Sequence, residues 1–385
     1  MTWFSSLSVR GYRRLADLHL PLRSLNVLIG ANGIGKSSVL DVLHLLGKSA
    51  NKRLTATVLE AGGLKSIFTA DGETSELTVA VARPATDTAG FTYELTLGEF
   101  GVFQGMEIRR ERLTQVVPGT SEPLELLVKT DNGQVHYGEE GFPSEPERGF
   151  DRSESALSQS SPFSMASAFR HALGDISAIY HSLDISPRAP VRSPQILSPV
   201  SLPGPNAEFL VASLFNMRET AQDRFEAIED SLRASFPDFE RLSFQTVAAG
   251  QLGLVWKDSR FTRPFYANEL SEGTLRFLWL ATLLQSPDLP HVTLIDEPEV
   301  SLHPELLRLL ADLMREASER TQLIVATHSD RLVRFLTPSD LVVCDQNPDG
   351  GGMTVQRADA LDLDEWLQDY TLDQLWSRGI IGGRA

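Results

Sequence analysis

Leu25-Asn26-Val27-Leu28-Ile29-Gly30-Ala31-Asn32-Gly33-Ile34-Gly35-Lys36-Ser37-Ser38 is the stretch that decides how this chain is read. Leu25 to Ile29 is a compact apolar run of strand length, and it stops at a glycine. From Val39 onward, Val39, Leu40, Val42, Leu43, Leu45 and Leu46 recur at helical spacing. Strand, glycine-rich turn and helix therefore follow in order, and Gly30 to Ser37 fits the pattern G-x-x-x-x-G-K-[ST]. Such a loop turns backbone N–H groups inward around phosphate oxygens. Its lysine, Lys36, reaches the β- and γ-phosphates, and the Ser37 hydroxyl suits Mg²⁺. The helix behind presents its positive end to the same anions. Gly30, Asn32, Gly33, Gly35, Lys36, Ser37 and Ser38 are the expected nucleotide contacts.

Downstream, the last third alternates between helix and strand. Helices are expected at 271–284, 304–317 and 332–336, and strands at 292–295, 323–326 and 341–344, a pattern of α/β type with a largely parallel sheet. Ligands of such sheets sit beyond the carboxyl ends of the strands, and the remaining motifs fall there. Leu294-Ile295-Asp296-Glu297-Pro298 ends an apolar strand on two carboxylates. Asp296 is placed to hold Mg²⁺ and Glu297 to orient and deprotonate an attacking water. His328 stands just beyond the strand at 323–326. Leu270-Ser271-Glu272-Gly273-Thr274 precedes an apolar helix, where Ser271 also reads as an ordinary N-cap.

Taken in this order, the motifs resemble the SMC/RecF-like branch of the ABC ATPases, in the part formed by the AAA_21-like ATPases. Residues 270–274 look like the LSGGQ signature, with Glu272 and Thr274 as departures, and Glu299-Val300-Ser301-Leu302-His303-Pro304 looks like the D-loop. The opening Leu7 to Leu15 is similar to the GFKSL start of that branch, and the ending from Trp366 to Gly383 is similar to that of standalone members without a Toprim nuclease. The resemblance implies a P-loop NTPase of ABC type, a mixed sheet with an antiparallel β lobe and a helical or irregular insert. It implies ATP and Mg²⁺ as cofactors and a homodimer that closes head to tail around ATP. Ser271 and Gly273 would then bind the γ-phosphate held by the partner, His328 would contact the γ-phosphate, and Arg13 would lie near the phosphates or adenine. A Q-loop glutamine has no clear position; Gln104 and Gln115 are the nearest candidates.

Between these motifs the period changes to two. Leu77, Val79 and Val81, then Phe91, Tyr93, Leu95 and Leu97, alternate as antiparallel strands, with hairpin turns expected at Asp71-Gly72 and Asn132-Gly133. Leu7, Val9, Leu18 and Leu20 imply two further strands with a turn at Gly11. Residues 138–164 read as a loop, and 208–236 as one helix ending before Pro237. No heptad run supports a long coiled coil. The expected division is 1–83 and 262–345 as the two halves of the head, 84–261 as insert and 346–385 as a tail.

A net charge of -16 argues against a broad basic surface but leaves room for a local one, so nucleic acid stays open as a partner. The single cysteine and the lack of an apolar leader or membrane-length stretch point to the cytoplasm. The expected role is an ATP-hydrolysing switch for a nucleic-acid or defence-related partner, such as a nuclease or other effector encoded nearby. The alternatives are a transporter's nucleotide-binding subunit, disfavoured by the long stretch between Lys36 and Ser271, and an ATP-bound scaffold, disfavoured by Glu297.

Overall fold

The computed structural model describes residues 2–70, 74–84, 89–100, 105–117, 123–129, 135–139, 142–143, 151–159, 166–347, 352–363 and 365–382. The chain opens with β1 (Ser6–Tyr12), β2 (Leu15–Pro21) and β3 (Leu25–Gly30), then α1 (Lys36–Ala50), α2 (Leu54–Glu60) and α3 (Leu64–Ile67). Six strands follow: β4 (Glu76–Arg83), β5 (Gly90–Phe100), β6 (Gly105–Val116), β7 (Leu124–Lys129), β8 (Val135–Glu139) and β9 (Phe142–Pro143). Next come α4 (Ala156–Gln159), α5 (Ala166–Gly174), β10 (Ile176–Tyr180), β11 (Gln195–Ile196), α6 (Leu210–Thr220) and α7 (Gln222–Ser235). Strands β12 (Phe239–Thr246), β13 (Gln251–Asp258) and β14 (Phe265–Tyr266) lead into α8 (Glu272–Gln285), β15 (Val292–Asp296), α9 (Pro304–Ser318) and β16 (Gln322–Ala326). The chain closes with α10 (Asp330–Val333), β17 (Leu341–Gln346), β18 (Met353–Arg357), α11 (Trp366–Asp369) and α12 (Leu372–Ser377).

The central sheet has the order β10-β15-β16-β3-β17-β18. It is parallel except for β18, which pairs antiparallel with β17. Its inner strands β15, β16, β3 and β17 are buried on both sides because both faces are covered, as parallel sheets require. The two-residue alternation of a strand divides them between two cores. Val27, Ile29, Ile295, Leu323, Val325 and Val343 join a cluster with α6 to α9 and α12. Leu28, Leu294, Ile324, Ala326, Val342 and Cys344 join a second cluster with α1 and an eight-stranded antiparallel sheet, β2-β1-β4-β5-β6-β7-β8-β9. A smaller sheet, β11-β13-β12 with β14 on β13, packs into the first cluster.

The middle of the chain departs from the sequence reading in several places. The β1–β2 turn lies at Arg13-Arg14, and Gly11 is inside β1. Asp71-Gly72 lies outside the described residues, and the elements flanking it are α3 and β4 rather than two paired strands. Asn132-Gly133 is also outside them, but β7 and β8 on either side pair antiparallel as a hairpin requires. The described part of 138–164 is not all loop. Buried Glu111 accepts hydrogen bonds from Tyr93 (2.9 Å), the Ser155 hydroxyl (2.7 Å) and the backbone N–H groups of Ala156 (2.7 Å) and Leu157 (2.9 Å), fixing α4 to the large sheet.

The single helix expected over 208–236 is two, broken at Ala221. The Thr220 hydroxyl donates back to the Asn216 carbonyl at 2.8 Å, a contact that bends helices, and α6 and α7 bury separate apolar faces. The boundary expected at 83/84 falls between β4 and β5, which are paired neighbours of one sheet. No helix among the described residues is long and apolar enough to cross a membrane.

Candidate nucleotide site

Strand β3 lies between β16 and β17 and ends at Gly30, whose φ is 148°. A Cβ there would come within 2.2 Å of the Cys344 carbonyl oxygen, so only glycine lets β3 turn away from β17 at this point. The loop then returns to α1, whose N-cap, Gly35, offers no side chain to the first-turn N–H groups. Lys36 is buried, and its ammonium donates to the carbonyls of Gly30 (2.7 Å) and Ala31 (3.0 Å). That leaves one of its three N–H donors for a ligand. Burial holds the Lys36 pKa below its ordinary value, against the pull of Cys344, Asp296, Glu297 and Glu299. An additional anion in contact with Lys36 would therefore be strongly attracted.

A cleft of about 500 Å³ brings this loop together with the neighbouring strand ends. Asn32, Gly33, Gly35, Lys36, Ser37 and Ser38 line it, along with Glu297 from beyond β15, His328 from beyond β16 and Arg13 from the β1–β2 turn. Asp296 closes β15, and the Ser37 side chain is near enough to its carboxylate to favour the ionised form. Burial raises the Asp296 pKa, and the Ser37 hydroxyl opposes that shift. A hydroxyl and a carboxylate are the hard oxygen donors that Mg²⁺ takes alongside substrate phosphates. Among the described residues no three His, Cys, Asp or Glu side chains form a group that could hold a metal ion by themselves.

Glu297 has a φ of 51°, which is rare for a side-chain-bearing residue. Its N–H continues the ladder to the Ala326 carbonyl at 2.8 Å, and this pins the turn that aims the carboxylate at the cleft. Glu297 Oε1 and His328 Nε2 lie 2.5 Å apart. The His328 N–H donates to Glu299 Oε1 at 3.2 Å, and burial raises the Glu299 pKa.

The structure does not bring Ser271 and Gly273 into this cleft. Ser271 is the N-cap of α8, accepting from the Thr274 N–H at 3.2 Å, with the two hydroxyls 2.8 Å apart. Glu272 accepts a hydrogen bond from the Ser301 hydroxyl at 2.5 Å, and a Cβ on Gly273 would meet the Ser301 carbonyl oxygen at 2.7 Å. Gly273 thus permits the D-loop-like turn to lie against the first turn of α8.

Arg13 lines the cleft but is already paired with Asp41 of α1 at 2.6 Å. Sequence reasoning missed Arg14, its neighbour in the cleft wall, and Asp41, whose place in the first turns of α1 was the available signal. It also missed His181, which follows β10 and acts electrostatically on both Asp296 and Asp41. Gln104 lies outside the described residues. Gln115 is buried in β6 of the antiparallel sheet, away from the cleft.

The family model described as "AAA domain, putative AbiEii toxin, Type IV TA system" (AAA_21) matches residues 25–334. A search of curated proteins finds no match. Among solved structures, the chain is similar to an Smc head bound to the C-terminal winged-helix domain of ScpA. Identity is 16%, covering 92% of this chain and 98% of that one, with a TM-score of 0.54. It is also similar to the Smc head with an extended coiled coil bound to the C-terminal domain of ScpA from Pyrococcus furiosus. Identity there is 15%, covering 96% and 100%, with a TM-score of 0.52.

Proposed function

The chain belongs to the AAA_21 family, an SMC/RecF-like group of ABC-type ATPases, and from that premise we propose that it binds ATP with Mg²⁺ and hydrolyses it between two copies of itself. The observation that carries this reading is the meeting of Lys36, Ser37, Glu297 and His328 in one cleft, delivered by three adjacent parallel strands.

The loop N–H groups and Lys36 bind and orient the phosphates, and the open end of α1 adds its dipole. Ser37 and Asp296 would hold Mg²⁺, which supplies charge neutralisation of the phosphates when bound. Glu297 positions a water in line with the γ-phosphorus. As the water oxygen bonds to phosphorus and the bond to the leaving oxygen of ADP breaks, the water's proton passes to the Glu297 carboxylate. His328, hydrogen-bonded to that carboxylate, holds its orientation and faces the same phosphate. Arg13 joins the nucleotide from the β1–β2 turn.

Ser271 and Gly273 lie outside the cleft of their own chain, which supports their completing the partner's site in an isologous dimer with two equivalent ATPs. In this reading 1–83 and 262–345 form the head, 84–261 the insert and 346–385 a tail packed on the head. The dimer acts in the cytoplasm as a switch for a nucleic-acid or defence-related partner, a nuclease or other effector encoded nearby.

Glu297→Gln tests the chemistry. ATP binding should persist while turnover falls by about 10²-fold or more. Light scattering should then show a dimer trapped at saturating ATP. Turnover at the wild-type rate would sink the assignment of Glu297, and monomers at saturating ATP would sink the dimer. Absence of turnover in the wild-type chain would favour the ATP-bound scaffold instead.

A further inference from the structure

Four parallel strands, β10, β15, β16 and β3, lie side by side in the central sheet, and residues just beyond the last three line the nucleotide cleft. Three of them deliver the groups already assigned. The fourth, β10, ends at Tyr180 and hands His181 to the same edge. The pairing register places it. Ile179 lies opposite Leu294 and Tyr180 opposite Ile295, so the next step sets His181 beside Asp296.

Alternation fixes the direction. Ile179 and Leu294 pack into the cluster that holds α1, whereas Tyr180 and Ile295 pack into the opposite cluster. His181 and Asp296, one residue further on, therefore both face the α1 side, where Ser37 and Asp41 stand.

The imidazole is exposed, and it is braced from behind. Its Nδ1 lies 2.8 Å from the Ser182 hydroxyl, and its backbone carbonyl accepts from Nη2 of buried Arg276 in α8 at 2.8 Å. A partner on Nδ1 is the usual device that orients a metal-binding histidine and leaves Nε2 for the ion.

We propose that His181 is a ligand of the divalent ion that accompanies ATP, adding an imidazole nitrogen to the Ser37 and Asp296 oxygens and shifting the site's preference from Mg²⁺ toward Mn²⁺. A serine and a carboxylate alone suit the hard ion Mg²⁺, whereas imidazole favours first-row transition metals. The inference rests on the ATP-site reading above.

The test uses the full chain, Mn²⁺ and β,γ-methylene-ATP, whose bridging atom carries no nitrogen. Pulsed EPR of the ternary complex should show ¹⁴N modulation from a coordinated imidazole. The modulation should vanish in His181→Ala and survive in His328→Ala. The ratio of Mn²⁺ to Mg²⁺ affinity, measured by competition, should fall about tenfold in His181→Ala. A far-UV circular dichroism spectrum and melting temperature matching wild type verify that the variant is folded. Modulation that persists in His181→Ala, or is lacking in wild type with nucleotide bound, overturns the proposal and leaves the ATP site standing. Failure of wild type to bind the analogue with either ion overturns both.

Discussion

Helices α1 and α8 both begin at a short turn of small residues, and their first turns are finished in opposite ways. The start of α1 has no side-chain cap, a buried lysine and a cleft in front of it. The start of α8 is closed internally, with Ser271 on the Thr274 N–H and Glu272 on Ser301. A helix start left open beside a cation is prepared for an anion from outside. A helix start that satisfies itself offers a finished surface, suited to meeting a ligand that another body has already bound. In the proposed dimer, the same physics of orphan N–H groups gives one end to receive the nucleotide and one to cover it.

The largest effect that would break this contrast is at Lys36. Lys36→Ala removes the charge at the open end, and ATP affinity should fall by a factor of about 10² or more, on the order of 3 kcal/mol, with the fold intact. Equilibrium binding of a labelled ATP analogue measures it. Unchanged affinity in a folded variant would mean that α1 is not the receiving end.

A smaller effect is expected at the other helix. Ser271→Arg should bind ATP normally through its own Lys36 but lose turnover. Mixed with Lys36→Ala it forms one composite site, and part of the activity should return. Full activity in Ser271→Arg alone, linear in protein concentration, would show that each chain works by itself.

The mildest change, Ser271→Ala, separates the cap from the surface. It should cost about 1 kcal/mol of stability by denaturant titration, because the Thr274 N–H loses its acceptor. ATP binding by the isolated chain should not change. A stability loss near zero would mean that the cap adds nothing and that the serine is there for the surface alone.

The sequence shows α1, β3, β15, β16 and β17 clearly because each is an apolar run bounded by a glycine, a carboxylate pair or a polar turn. Lys36, Glu297 and His328 follow directly from those boundaries. What it hides is β10. Ile-Ser-Ala-Ile-Tyr is weakly patterned, stands far from β15 along the chain and pairs with it only after the intervening insert has folded. With β10 unseen, His181 has no visible reason to face Asp296. Residues 151–159 are hidden for a similar cause: a Ser-rich polar segment reads as loop until Glu111, 45 residues before Ala156, is seen to gather its N–H groups. The break at Ala221 depends on which faces α6 and α7 find, and apolar spacing alone does not encode that.

Glu297 and Ser301 both hold φ near 50–60° within one five-residue turn. A left-handed conformation costs a side-chain-bearing residue roughly 1–2 kcal/mol, and glycine or asparagine would adopt it more cheaply. A designer optimising this turn for stability alone would write those residues and gain a firmer protein. The gain would erase the carboxylate at one position and the hydroxyl that meets Glu272 at the other. Stabilising substitutions should therefore be sought in the antiparallel sheet and the surfaces of α7 and α9, and a screen selecting only for thermal resistance should drift first at 297 and 301.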